Sequence, residues 1–224
     1  MANKALSFGS GTGLVTVPNA AAFQGLTAFT VEFYISLTST THANWGNIIS
    51  YRNTNTGFNI NWNGTSQEFG AGVGNGSSEV GWNFWTALAQ ATTTHVALTW
   101  NGSTVNMFFN GVKDGSSTGF SGGNIGNPGV DLTICGGSSN LIIDDLRISD
   151  IARYSANFTA PTAPLTSDAN TVELWNFDEG TGTTAGGANG NDGTLSGTPT
   201  PSWVDGLSVD ATVFTPRSTL LGVG

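Results

Sequence analysis

The stretch from His95 to Gly111, HVALTWNGSTVNMFFNG, constrains this chain more than any other. Val96, Leu98 and Trp100 alternate with Ala97 and Thr99. After Asn101-Gly102-Ser103 the alternation resumes, with Val105, Met107 and Phe109 on one face and Asn106, Phe108 and Asn110 on the other. A second Asn-Gly pair follows at Asn110-Gly111. Side chains of an extended strand point to opposite faces in turn, and Asn-Gly supplies the positive backbone angles of a tight reversal. The stretch therefore predicts antiparallel strands joined by short turns.

Strands of the same kind are expected at Ala5–Phe8, Leu14–Val17, Phe29–Leu37, Asn47–Tyr51, Gly57–Trp62, Gln67–Val73 and Trp82–Ala87. His95–Trp100, Val105–Asn110, Asp131–Ile134, Leu141–Ser149 and Val172–Phe177 complete the set. Short strands punctuated by Gly, Asn and Pro read as an all-β, two-sheet antiparallel jelly-roll sandwich. Ala20–Phe23 and Ile151–Tyr154 each fit one helical turn. Ser116–Gly129 and Thr181–Gly197 read as Gly-rich loops, and Thr159–Asn170, with Pro161 and Pro164, as an extended crossing over the surface. One clear strand follows that crossing, too little for a second core. The expected organisation is a single domain over 1–206, with 171–206 returning to complete it and to cover a sheet edge. Residues 207–224 form a tail docked on the domain or on a neighbour.

Composition narrows the function. A formal charge of −9 with six Lys plus Arg leaves no basic patch for a phosphate backbone, so nucleic acid is not an expected partner. Only 9% of residues are charged, so solubility rests on Asn, Ser, Thr and Gly. No apolar run is long enough for membrane insertion, and no classical signal peptide is visible at the start. Cys135 stands alone and reads as a buried structural thiol.

Several blocks carry a family resemblance. KALSF at Lys4–Phe8 with VTVPN at Val15–Asn19, FTVEFYISL at Phe29–Leu37 and HVALTWNGSTVNMFFNGV at His95–Val112 make up its first part. LIIDDLRISDIARYSANFTAP at Leu141–Pro161, LWNFDEGTGTT at Leu174–Thr184 and NDGTLSG at Asn191–Gly197 complete it. Together they resemble the concanavalin A-like, laminin G-like jelly-roll superfamily, including its pentraxin-like branch. The order departs from many such proteins, in which the W-x-F-D-E-G block precedes the A-L-S-F opening. Here the block follows the late strand and either closes the sandwich or begins a truncated repeat.

Related glycoside hydrolases carry an E-x-D-x-x-E array on one strand face, which delivers nucleophile and acid/base together. This sequence has none: Glu32 is isolated on its strand, Glu173 has no carboxylate two residues on, and Asp178 and Glu179 face opposite ways. There is no G-x-S-x-G elbow, and His42 and His95 have no recognisable partners. The chain is read as noncatalytic.

Two binding chemistries remain. No cofactor is required, but the resemblance implies calcium at a sandwich rim, with Asp131, Asp144, Asp145 and Asp150 as candidate ligands beside turn-capping roles. Alternation places one of Asp144 and Asp145 inward and the other to solvent. A sugar site needs aromatic platforms beside amides, and Trp45, Tyr51, Trp82 and Trp85 with Asn44 and Asn83 provide them. Trp100 and Trp175 are assigned to the core, and Trp62 also fits there.

The expected function is a structural, decorating or adhesion component of an extracellular assembly, of the phage-virion type. Its expected partners are other virion or surface proteins, itself, or glycans, and its expected location is a virion surface or another extracellular assembly. Val213, Phe214, Leu220 and Leu221 are the candidate assembly residues. The loops Thr38–Gly46, Gly74–Trp85 and Ser116–Gly129 are the candidate contact regions. The alternative is a free carbohydrate-binding, lectin-like module.

Overall fold

The computed structural model describes residues 3–39, 44–63, 68–85, 88–118, 123–137 and 140–207. The described residues form two antiparallel sheets, with no α-helix among them. The strands are β1 (Lys4–Phe8), β2 (Leu14–Val17), β3 (Phe29–Leu37), β4 (Asn44–Asn53), β5 (Thr56–Asn63), β6 (Glu68–Asn75), β7 (Glu79–Trp85) and β8 (Thr94–Trp100). They continue with β9 (Thr104–Phe109), β10 (Val112–Thr118), β11 (Leu132–Ile134), β12 (Leu141–Ser149), β13 (Thr171–Trp175), β14 (Thr184–Ala185), β15 (Gly193–Ser196) and β16 (Ser202–Asp205).

The first sheet runs β10-β9-β8-β3-β12-β1-β16, and β13 also pairs with β12. β1 takes the early half of β12 (Leu6 opposite Ile143) and β13 the late half (Leu146 opposite Trp175). The second sheet runs β14-β15-β2-β11-β4-β5-β6-β7. The segment after the crossing thus enters both sheets: β13 and β16 join the first, β14 and β15 the second.

The His95–Gly111 alternation sets the core as expected. Val96, Leu98, Trp100, Val105, Met107 and Phe109 all belong to the apolar cluster between the sheets. At the first turn Asn101 Oδ1 accepts the N–H groups of Ser103 at 3.1 Å and Thr104 at 2.9 Å. At the second, Asn110 and Gly111 both have positive φ, 47° and 76°, which a type I′ hairpin requires. Trp62, Trp100, Trp175 and Cys135 are all buried.

β3 is buried on both faces because chain from Ile151 onward lies across the outside of the first sheet. Tyr34 donates its hydroxyl to the carbonyls of Pro161 and Ala163 at 3.2 and 3.0 Å, and Arg147 Nη1 donates to Thr166 O at 2.7 Å. These bonds satisfy backbone that an extended crossing would otherwise leave unpaired.

Some local expectations differ. Ala21–Phe23 is a 3-10 turn, but Ile151–Tyr154 is not helical. There Thr30 captures both ends of the segment, donating to Ile151 O and accepting from Arg153 N, so the backbone is bound to the sheet instead. The predicted Ser116–Gly129 loop begins with the end of β10, and the Thr181–Gly197 loop contains β14 and β15. These strands are short and polar, and they lack the apolar alternation that marks a strand in sequence. No helix among the described residues is long and apolar enough to cross a membrane.

Candidate functional site

The outer face of the second sheet is built by register. Directly opposed residues of an antiparallel pair point to the same side. One such row crosses seven strands: Thr184, Thr194, Thr16, Thr133, Ser50, Asn59 and Gly72. Every member is a hydroxyl, an amide or a glycine. The apolar residues next in sequence, such as Val15, Val17, Ile49, Phe58 and Val73, fill the core on the other side.

The neighbouring row holds Arg52, Gly57, Gly74 and Glu79. Three strand steps separate Arg52 from Glu79, roughly 14 Å of backbone, and the two residues between them carry no side chain. Arg52 Nη2 nevertheless donates to Glu79 Oε2, because both chains lie flat across the sheet. Arg52 Nη1 donates to Asn59 Oδ1 at 3.0 Å and Nε to Thr54 O at 2.7 Å. The pair lies over Gly72, where a Cβ would meet Glu79 Oε1 at 2.8 Å, Asn59 Oδ1 at 2.9 Å and Arg52 Nη1 at 3.1 Å. Burial pulls the Arg52 guanidinium below its ordinary value, and the Glu79 charge opposes that pull.

A third row brings Asn47, Asn61 and Gly70 together. Asn61 lies over Gly70, where a Cβ would come within 2.3 Å of its Oδ1. Asn61 is 3% exposed, and its Oδ1 has no hydrogen-bond partner among the described residues. A buried amide carbonyl without a partner costs free energy, and a ligand donor would recover it. Arg52, Asn59, Asn61 and Glu79 on a glycine floor therefore form the candidate binding surface. Sequence reading missed Arg52 and Glu79 because their meeting is a property of register, 27 positions apart.

Register also places the residues expected to bind sugar. Asn44 opposes Asn63, Asn63 opposes Glu68, and Phe69 opposes Trp85. Asn44, Trp45 and Trp85 thus share one end of the β4–β7 half of this sheet. Asn83 lies two pairs further in, opposite Ala71, and Trp82 lies on the same strand. Tyr51 does not join them. It sits near the other end of β4 opposite Phe58, is fully buried, and donates its hydroxyl to Asn19 Oδ1 at 2.6 Å. Burial pushes its phenol up to about 12. Its parity with Ile49 carried that signal, and its polar neighbours Ser50 and Arg52 masked it.

The four aspartates read as calcium ligands are not brought together. Asp131 caps the Asn19 N–H at 3.0 Å, beside the second sheet. Asp150 is exposed, and its N–H donates to Asn170 O. Asp144 and Asp145 are both buried, at 1% and 2% exposure, contrary to the expected in-and-out alternation. The reason is a bulge: pairing of β12 with β3 jumps from Asp144–Tyr34 to Arg147–Glu32, and Asp145 has a φ of 49°. Asp144 Oδ2 accepts Leu207 N at 2.8 Å, and Asp145 accepts Leu165 N and Asn176 Nδ2. Burial raises both carboxyls, Asp144 to about 7. Among the described residues no three of His, Cys, Asp and Glu form a group able to hold a metal ion.

His95 has a partner that sequence did not reveal. Glu32 Oε2 lies 3.1 Å from His95 Nε2 and accepts the Tyr154 hydroxyl at 2.9 Å, while Oε1 accepts Arg147 Nε and Nη2 at 3.0 and 2.7 Å. Glu32 and His95 are fully buried. A carboxylate beside an imidazole serves catalysis only where substrate reaches it, and this pair is sealed under the crossing. Its role is to satisfy charge inside the first sheet's outer layer. The expected assembly residues Val213, Phe214, Leu220 and Leu221, and His42, lie outside the described residues.

An all-β sandwich with one covered sheet and one polar, glycine-floored sheet defines a lectin-like class of architecture. Residues 9–157 match the laminin G-type profile of the concanavalin A-like lectin/glucanases superfamily, and the chain belongs to that superfamily. Among solved structures it is similar to a protein from Bacteroides ovatus ATCC 8483, with a TM-score of 0.72 and 15% identity over 94% of this chain. The match spans 62% of that longer protein. A heptameric SAP-like pentraxin from Limulus polyphemus aligns over 68% of this chain and 78% of its own, with 16% identity and a TM-score of 0.47. No curated protein matches the chain in sequence.

Proposed function

We propose that this chain is a noncatalytic, lectin-like adhesion module that binds glycan on the outer face of the second sheet. The observation that carries the reading is the buried Asn61 Oδ1, without a partner among the described residues, beside the Arg52–Glu79–Asn59 array. Sugars are held by planar polar side chains that address adjacent hydroxyls, with aromatic rings beside them. Register puts Asn44 in line with Asn63 and Glu68, the row two residues along from Asn61, whereas Asn83 and Trp85 oppose the core residues Ala71 and Phe69 and do not add to this face. Superfamily membership agrees, and the similar Bacteroides ovatus protein is described as proposed to bind carbohydrate. Titration of the full chain with a panel of soluble oligosaccharides, followed by calorimetry, tests the reading. Binding that Asn61→Ala weakens supports it, and absence of binding across the panel refutes it.

We further propose that residues 1–206 act as one domain and that the module decorates a larger extracellular particle, such as a virion, through its C-terminal tail. Leu207 favours this placement. It packs with Tyr34, Leu165 and Leu174 outside the first sheet and is held by Asp144, so attachment there leaves the second sheet's outer face open. Light-scattering mass of the full chain and of a 208–224 deletion tests it. A change from oligomer to monomer supports tail-mediated assembly, and monomers in both cases count against self-assembly through the tail.

A further inference from the structure

The site's charge arrangement selects a ligand class, an inference that rests on the glycan reading above. Arg52 is the sole Lys, Arg or His in the described strands of the second sheet. A guanidinium ordinarily recognises a carboxylate by presenting a two-pronged edge. Each nitrogen of Arg52 is already engaged: Nε donates to Thr54 O, Nη1 to Asn59 Oδ1 and Nη2 to Glu79 Oε2. Glu79 cancels its charge, Glu68 adds a second carboxylate at one end of β6, and the whole chain carries −9. Carboxylated sugars therefore meet, among the described strands, a single cation that is already paired, and a net repulsive field. Uncharged hydroxyls still find acceptors and donors in Asn59, Asn61 and the row of Ser50, Thr133, Thr16 and Thr194.

We propose that Glu79 makes this face selective for uncharged glycans over sialylated or uronic-acid glycans, by occupying Arg52. Selectivity of this kind comes from excluding the wrong ligand as much as from contacts to the right one.

The test uses the full chain and matched pairs of probes. One pair is a neutral hexose oligosaccharide and its uronic-acid counterpart of equal length and linkage. The other is a galactose-ended glycan with and without a sialic acid cap. Wild type is expected to prefer the neutral member by about tenfold or more. Glu79→Gln is expected to narrow or reverse that preference, and its binding of the acidic probes is expected to weaken with added salt. Thermal melts establish that the variant is folded. Tighter wild-type binding of the acidic members overturns the proposal while leaving the glycan reading intact, and it does so without the variant. An unchanged preference in folded Glu79→Gln overturns the role of Glu79. No binding of any probe removes the glycan reading itself and this inference with it.

Discussion

Glu32 Oε2 and His95 Nε2 lie 3.1 Å apart, with neither side chain reaching solvent, and two arginines converge on the same carboxylate. Burial alone would raise the Glu32 pKa, but the hydrogen bond and charge of His95 and the charge of Arg147 outweigh it and hold it below the ordinary value. Removing the carboxylate strands buried cations. Glu32→Ala is expected to cost about 3–5 kcal/mol in urea unfolding at pH 7. A lowered carboxylate stabilises the fold above its unfolded pKa and loses that effect as pH falls through the folded value. The gap between wild type and variant should therefore shrink below the ordinary carboxylate range. A loss under 1 kcal/mol would show that the network is not structural.

The network also shows what a sequence conceals. β2, β3 and β12 are legible residue for residue, because each is an apolar or alternating run between turn residues. Glu32 and His95 look unpartnered along the chain because their meeting depends on β3 lying beside β8. Arg52 and Glu79 hide for the same reason, with two intervening strands between them. Asp144 and Asp145 mislead through a bulge that no local pattern announces. The aromatic and amide residues read as a sugar site are visible as composition, but which of them share an end of a sheet is decided by pairing. Tyr51 falls into the core on that account.

Asp144 gives a pH dependence of opposite sign. Burial, with Asp145 and Asp178 nearby, raises its carboxyl to about 7, against the lowering effect of the Leu207 N–H. A raised folded pKa means that stability falls as pH climbs from the ordinary value of 3.8 to about 7. Asp144→Asn keeps an oxygen for Leu207 and removes the charge. The variant is expected to match wild type near pH 4 and to exceed it by about 1–3 kcal/mol at pH 8. Melting curves at pH 4, 6 and 8 check this, and a variant less stable at pH 8 contradicts it.

Gly72 tests whether the Arg52–Glu79 pair matters to the ligand face. An added methyl would sit 2.8 Å from Glu79 Oε1 and 2.9 Å from Asn59 Oδ1, closer than such atoms pack. Gly72→Ala must displace the flexible ends of those chains, since they and not backbone are the obstacle. Stability is expected to drop by about 1–2 kcal/mol, and glycan affinity to fall by about tenfold or more. Calorimetric titration beside a melting curve separates the two effects. Unchanged affinity would place the ligand elsewhere.

The two late sequence blocks that carry the family resemblance meet at one carboxylate. Glu173, fully buried on β13, accepts the N–H groups of Leu174, Asn189 and Asn191 at 2.9, 2.7 and 2.9 Å, and Asn191 Nδ2 at 2.8 Å. Trp175 Nε1 in turn donates to Asn191 O at 2.8 Å. The W-x-F-D-E-G and N-D-G-T segments are thus two sides of a single clamp, and the glycines let the loop close around the acid. At Gly187 a Cβ would fall 2.8 Å from the Glu173 carboxyl carbon. Glu173→Gln presents one oxygen and one NH2 group where two donors converge on each carboxylate oxygen, so two donors face another donor. A loss of about 2–4 kcal/mol is expected, with faster hydrogen exchange at the amides of Asn189 and Asn191 than at those of β3. Because β15 pairs with β2, loosening the clamp should also raise exchange at Leu14 and Thr16, which lie opposite Ser196 and Thr194. Unchanged exchange at both sites would mean that the loop holds its place without the carboxylate.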